Sequence, residues 1–195
     1  MKVPLDAMNE YDDDALLALY ARGDAGAARA LTARLGPRVF SHAQRLLSDR
    51  AEAEDVTQEA LLRLWRIAAD WRTGEAKVTT WLYRVTANLC TDRLRKRRGT
   101  DLDAVPEIRD ERPSVEETMQ QRARAGALQA ALMQLPERQR QAVVLRHIEG
   151  LGNPEIAGIM DLGTRAVESL TARGKKALEA LLLGQREELG LHDDT

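Results

Sequence analysis

In NPEIAGIMDLGTRAVESLTARGKKAL, residues 153–178, two apolar periodicities are separated by a short turn. Asn153 is a good N-cap and Pro154 suits the first helical position, with Ile156, Ala157 and Met160 following at helical spacing. A short helix ending near Asp161 is predicted. Leu162 and Gly163 then make the turn, after which Ala166, Val167, Leu170, Gly174, Leu178 and Leu181 share one face of a longer helix. Opposite that stripe lie Arg165, Ser169, Ala172 and Lys176, with Glu168 and Arg173 at its edges. Two helices joined this way, the second longer and cationic, are the arrangement that enters a DNA major groove. There Arg pairs with guanine, Ser and Glu reach other base edges, Ala touches a thymine methyl, and Arg173 and Lys175 hold phosphate. The pattern alone is also that of a solvated charged face.

Working back along the chain, Leu128, Leu132 and Leu135 mark one helix, and Pro136 starts another that holds Val143, Val144, Leu145 and Ile148. Residues 125–184 therefore read as a small helical domain, followed by a polar tail, 185–195. Between Gly99 and about Gln121, Pro106 and Pro113 stand among Asp101, Asp103, Glu107, Asp110, Glu111, Glu116 and Glu117. Such a composition buries too little apolar surface to fold alone, so residues 99–124 are expected to be a flexible acidic linker.

Before the linker, a long helix is predicted from about Val78 to Arg97, with Val78, Leu82, Val85 and Leu89 as its apolar stripe. Arg84, Asn88, Thr91 and Arg95 form a second stripe beside Trp81, and Arg93, Arg95, Lys96, Arg97 and Arg98 make its end strongly cationic. An aromatic next to amide and guanidinium groups can stack on an unpaired base while its neighbours bond the base edge and the backbone. Alternatively, Trp81 belongs to the core and the cations are a solvated helix end favoured by the macrodipole. Asp70 to Lys77 lacks periodicity and reads as a loop.

Residues 14–68 are predicted to be helical, with breaks at Gly23-Asp24 and Gly36-Pro37, hence several short helices. Within them, Val56, Ala60, Leu64 and Ile67 complete an inward face. The opposite face sets Asp55, Gln58, Glu59 and Arg66 around Leu62 and Trp65, an apolar centre with a polar rim. That is the composition of a protein interface or of a second contact inside the same domain.

Composition bounds the remaining possibilities. A chain of 195 residues holds one ordinary domain or two small ones, and three Trp, three Tyr and one Phe disfavour a large β-sandwich. The lone Cys90 excludes an internal disulfide and a cysteine-built zinc site, and His42, His147 and His192 have no metal-ligand spacing. No Gly-rich phosphate loop, nucleophile elbow or His-Glu metal motif is present, so neither catalysis, cofactor nor metal is expected. The acidic N-terminus is no secretory leader and no apolar run reaches bilayer length, which makes the cytoplasm the expected location. Net charge is only −2, yet two cationic segments flank an acidic one.

AEDVTQEALLRLW (53–65), TWLYRVTANLCTDRLRKRR (80–98) and LPERQRQAVVLRHIEGLGNPEIAGIM (135–160) followed by RAVESLTARGKKAL (165–178) together resemble the extracytoplasmic-function group of bacterial sigma factors. These are the small promoter-recognition subunits of RNA polymerase. The resemblance implies an all-α chain of two small helical domains joined by the acidic linker, the C-terminal one containing a helix-turn-helix. Residues 10–98 would be the region 2-like domain and residues 125–184 the region 4-like domain. It further implies that Asp55, Gln58, Glu59, Leu62 and Trp65 bind core polymerase, whose clamp and flap are the contact regions. Trp71, Lys77, Trp81, Arg84, Asn88, Arg95 and Lys96 would capture single-stranded minus-ten bases. Arg165, Glu168, Ser169, Ala172, Arg173 and Lys176 would read the duplex minus-thirty-five element. An anti-sigma factor and a stress or envelope response belong to the same expectation. Two positions depart from the family pattern: Asp161 stands where Gly is common, and Gly163 where a small hydroxyl residue caps the recognition helix. Both bear on that helix's approach angle and leave the fold intact. Competing readings are a helix-turn-helix regulator that acts without polymerase and a helical adaptor whose basic faces are merely solvated.

Overall fold

The computed structural model describes residue 8, residues 10–100 and residues 119–188. All regular structure among them is helical: α1 (Asp13–Ala21), α2 (Ala25–Leu47), α3 (Arg50–Ile67), α4 (Val78–Thr100), α5 (Met119–Gln134), α6 (Glu137–Val143), α7 (Asn153–Met160) and α8 (Thr164–Glu188). A 3-10 turn, Ala68–Asp70, follows α3, and a π turn, Val144–Ile148, continues α6. The chain divides into two compact units, the first built on α1–α4 and the second on α5–α8.

In the first unit, Asp12 caps α1 by accepting from the Ala15 amide at 2.7 Å. Gly23, at φ 91°, ends that helix as expected, since a positive φ costs glycine nothing. The expected break at Gly36-Pro37 is absent: α2 runs through Pro37. Pro37 and Ala33 lie on the exposed side, so the carbonyl that loses its amide partner faces water. On the other side Leu31, Leu35 and Val39 form one buried stripe. A proline inside a helix costs about 3 kcal/mol, whereas each fully buried leucine or valine contributes roughly 1.5–3 kcal/mol, so the stripe wins. The chain turns instead at Ser48, which takes φ 53°. Leu16, Leu17, Ala60, Leu64, Val78 and Leu82 complete the core, with Trp65, Trp71 and Trp81 packed against its margin. Cys90 is buried.

In the second unit, Ala131, Leu132, Leu135, Val143, Val144, Leu145, Ile156, Ile159 and Val167 are buried. The cap of α7 is Gly152, with the expected cap Asn153 already inside the helix. Glu155, at the third helical position, reaches back to accept from the Gly152 amide at 3.1 Å, the half of a capping box that a glycine cap leaves available. Helix also extends past the boundaries read from sequence: α4 continues to Thr100 and α5 starts at Met119, where Gln, Arg and Ala are good helix formers. Residues 101–118 and 189–195, which include most of the acidic linker, His192 and much of the polar tail, lie outside the described residues.

Candidate polymerase and promoter interfaces

On α3, Asp55, Gln58 and Leu62 are exposed, and Leu62 leaves 48% of its surface open to solvent. Glu59 accepts from Arg63 Nε at 2.8 Å, and that hydrogen bond holds its carboxyl below the usual carboxylate range. Trp65 is only half-buried, its ring 4.8 Å from that of Tyr20. Trp65 therefore already contributes to the first unit's own core margin, and Leu62 is the apolar group that this face offers outward.

The cationic end of α4 is less uniform than its sequence. Arg93 donates to Glu52 at 2.7 Å and to Asp55 at 3.4 Å, and Arg97 lies 3.5 Å from Glu52. The Glu52 hydrogen bond foremost, against the opposing cost of burial, strengthens the guanidinium's hold on its proton. Arg93 thus faces α3 and fastens α4 to it. Arg84, Asn88, Arg95 and Lys96 are exposed, as is Lys77 in the loop before α4, while Arg95 also pairs with Asp92 at 3.6 Å.

Next to this helix lies a cavity of about 290 Å³ lined by Ile67, Asp70, Trp71, Arg72, Glu75, Ala76 and Trp81. Trp71 and Trp81 stand edge-on, with ring centroids 6.1 Å apart and planes at 87°. Trp71 Nε1 donates to Asp14 at 2.7 Å. The cavity thus offers indole surface, carboxylates and a guanidinium within one concave space, chemistry suited to an unpaired base. Both tryptophans are among the residues expected from sequence to meet the minus-ten strand; Ile67 and Asp70 are not, because nothing local shows that the end of α3 and the turn after it converge on this loop.

In the second unit, Arg165, Glu168, Ser169, Ala172, Arg173 and Lys176 are all exposed on α8, whereas Val167 and Gly174 on its other face are buried. The turn before α8 is made by Asp161 in the left-handed region, φ 52° and ψ 54°. The Gly163 carbonyl accepts from Ala166 at 3.0 Å and Val167 at 3.2 Å, so glycine serves as the helix cap through its backbone. Asn153 Nδ2 approaches Glu168 Oε1 at 3.5 Å, and Arg173 Nε donates to the Ser169 carbonyl at 3.2 Å. Gly174 meets α6 so closely that a Cβ would stand 2.6 Å from Val143 Cγ2 and 3.1 Å from the Gln139 carbonyl oxygen.

His147 sits on the π turn, where desolvation, then Lys175 and Arg146, lower its pKa below the ordinary 6.5, with Glu179 opposing. The unfolded chain therefore takes up this proton more readily than the fold does. Its contribution to stability is complete above the ordinary histidine pKa and declines as pH falls through that value toward the lower folded one. Thermal unfolding of the α5–α8 unit between about pH 7 and pH 5 is expected to lose part of its acid sensitivity in His147→Gln. Parallel pH profiles for the two proteins would remove His147 as the source.

Among the described residues, no group of three or more His, Cys, Asp or Glu side chains could hold a metal, and no helix is long and apolar enough to cross a membrane.

Comparison with known proteins gives these surfaces a common context. Residues 31–100 match Sigma-70 region 2, and residues 125–178 match Sigma-70, region 4. The ECF RNA polymerase sigma factor SigE of Mycolicibacterium smegmatis is 38% identical over 149 residues, which are 74% of this chain and 57% of that relative's length. SigM of Mycobacterium tuberculosis, also an ECF RNA polymerase sigma factor, is 32% identical over 177 residues, covering 89% of this chain and 86% of the relative. In structure the chain is similar to CnrH, solved in complex with the cytosolic domain of CnrY, and CnrH is an RNA polymerase sigma factor of Cupriavidus metallidurans. The TM-score is 0.66 at 25% identity, over 88% of this chain and 97% of that one. With both sigma regions matched in order and SigM 32% identical over 86% of its length, the chain belongs to the ECF family of RNA polymerase sigma factors.

Proposed function

We propose that this sigma factor divides its work over three surfaces. Asp55, Gln58, Glu59 and Leu62, with the margin of Trp65, dock on the core polymerase clamp. The Trp71/Trp81 cavity with Lys77, Arg84, Asn88, Arg95 and Lys96 captures the separated minus-ten strand. Arg165, Glu168, Ser169, Ala172, Arg173 and Lys176 read the minus-thirty-five duplex. The Trp-walled cavity carries this reading over a helix-turn-helix regulator that works without polymerase. A protein that reads only duplex DNA has no use for a receptor of unpaired bases, whereas strand separation needs both a stacking surface and cations beside it. Its place of action is the cytoplasm, where polymerase and promoter are. The exposed Leu62 also supports control by an anti-sigma protein that covers the docking face until stress or envelope damage releases it.

Transcription from a genomic promoter library by purified core polymerase, with and without this protein, tests the proposal. Sequenced new transcript starts that share two spaced elements are the expected result. Autonomous duplex binding without new starts would favour the regulator. At residue level, Arg165→Ala should cost about 1.5 kcal/mol and relax selection at one upstream position. Lys176→Ala should weaken binding alike on every sequence and reduce its salt dependence. Equal, sequence-independent losses for both would show that Arg165 does not read a base.

A further inference from the structure

Trp71 is held from 57 residues away, by Asp14 in the first turn of α1. The bond from Nε1 to Asp14 Oδ1 is 2.7 Å long and half shielded from water. An indole N–H is a donor only, and a short bond to a carboxylate is directional and strong. Apolar packing decides where a ring sits, while a bond at its edge decides how the ring is turned.

The helix that carries Asp14 is itself fastened. Arg34 on α2 donates to Asp13 and to the Tyr11 carbonyl, both at 2.9 Å, and its second nitrogen reaches the Met8 carbonyl at 3.3 Å. Met8 is buried against Gly26, where an added Cβ would come 2.8 Å from the Met8 methyl. Asp14 is therefore a fixed point, and Trp71, turned by it, stands edge-on to Trp81 across the cavity wall.

We infer that Asp14 is a positioning residue for strand capture: it sets the rotation of Trp71 so that the cavity between Trp71 and Trp81 is open to an unpaired base. The inference rests on the reading of that cavity as a base receptor. It assigns to α1 control over how well the separated minus-ten strand is held. A phenylalanine at position 71 would fill similar space but could not be turned this way, because it has no donor.

The test uses the full chain bound to core polymerase and the labelled non-template strand of a promoter found in the transcription experiment. Asp14→Ala is expected to weaken strand capture about tenfold and to reduce the near-ultraviolet circular dichroism of the Trp71/Trp81 pair in the free protein. Asp14→Asn, which keeps a carbonyl acceptor, should recover most of both signals. In a Trp71→Phe background, Asp14→Ala should have no further effect. The inference is overturned if Asp14→Ala changes neither signal, or if it weakens capture by the same factor with Phe at position 71. If Trp81→Ala leaves strand capture intact, the base-receptor reading fails, and the inference falls with it even where the dichroism shows Asp14 ordering Trp71. Should Asp14→Ala lose its cooperative thermal transition, Trp71→Phe carries the test, and capture equal to wild type there overturns the inference.

Discussion

Gly174→Val is expected to destabilise the α5–α8 unit by about 3 kcal/mol and to abolish minus-thirty-five recognition while leaving the α1–α4 unit folded. Replacing a glycine inside a helix normally stabilises it, by about 1 kcal/mol for alanine and less for a β-branched residue. Here the sign reverses because the space is taken. The Cβ alone would lie 2.6 Å from Val143 Cγ2, which could rotate away, and 3.1 Å from the Gln139 carbonyl oxygen, which cannot because it is backbone of α6. Valine adds two methyl groups to that conflict, and overpacking of this kind costs typically 1–3 kcal/mol, occasionally more. Relief requires α8 to move off α6, carrying Arg173, Lys176 and the rest of the exposed face with it. Thermal unfolding should show the second unit's transition lowered by roughly 15 °C. An unchanged transition with normal upstream-element selection would mean that α6 and α8 do not pack this closely in solution.

The second large effect is on association. Leu62→Asp should weaken binding to core polymerase by about 3 kcal/mol, roughly a hundredfold, with thermal stability almost unaltered. Stability is spared because the side chain is already 48% exposed, and surface changes away from special features stay within about 0.5 kcal/mol. Binding is not spared. Burying a leucine in an interface is worth roughly 1.5–3 kcal/mol, and a carboxylate in its place loses that and must be desolvated without a partner. Neighbouring Asp55 and Glu59 add like charge. Titration of labelled protein with core polymerase measures the effect, and a loss below about threefold would move the docking face elsewhere on the molecule.

The helix-turn-helix was legible because each step is local. Helical period places Val167, Leu170 and Gly174 on one side and Arg165, Ser169 and Lys176 on the other whatever surrounds them. Asp161 tolerates a left-handed turn for reasons contained in its own side chain. The two departures from the family pattern are accordingly accommodated by backbone geometry at Asp161 and Gly163. Local reading failed where a distant surface outweighed a local preference. Pro37 argues for a break, but the buried stripe that runs past it on both sides keeps α2 continuous.

The same distinction runs through the functional surfaces. Which residues are cationic, aromatic or apolar, and which share a helix face, followed from sequence by itself, because charge and periodicity are properties of the chain. Which of them face outward was decided by tertiary structure. Arg93 reads as one more cation at the end of α4, yet Glu52 and Asp55, some forty residues earlier, turn it toward α3. Trp65 reads as an interface anchor, yet Tyr20 already covers part of it. Trp71 reads as a loop aromatic, and only folding brings Asp14 to its indole N–H and sets Trp81 perpendicular to it. A side chain's chemistry is fixed by its own atoms, but its direction depends on partners that the fold delivers from far along the chain.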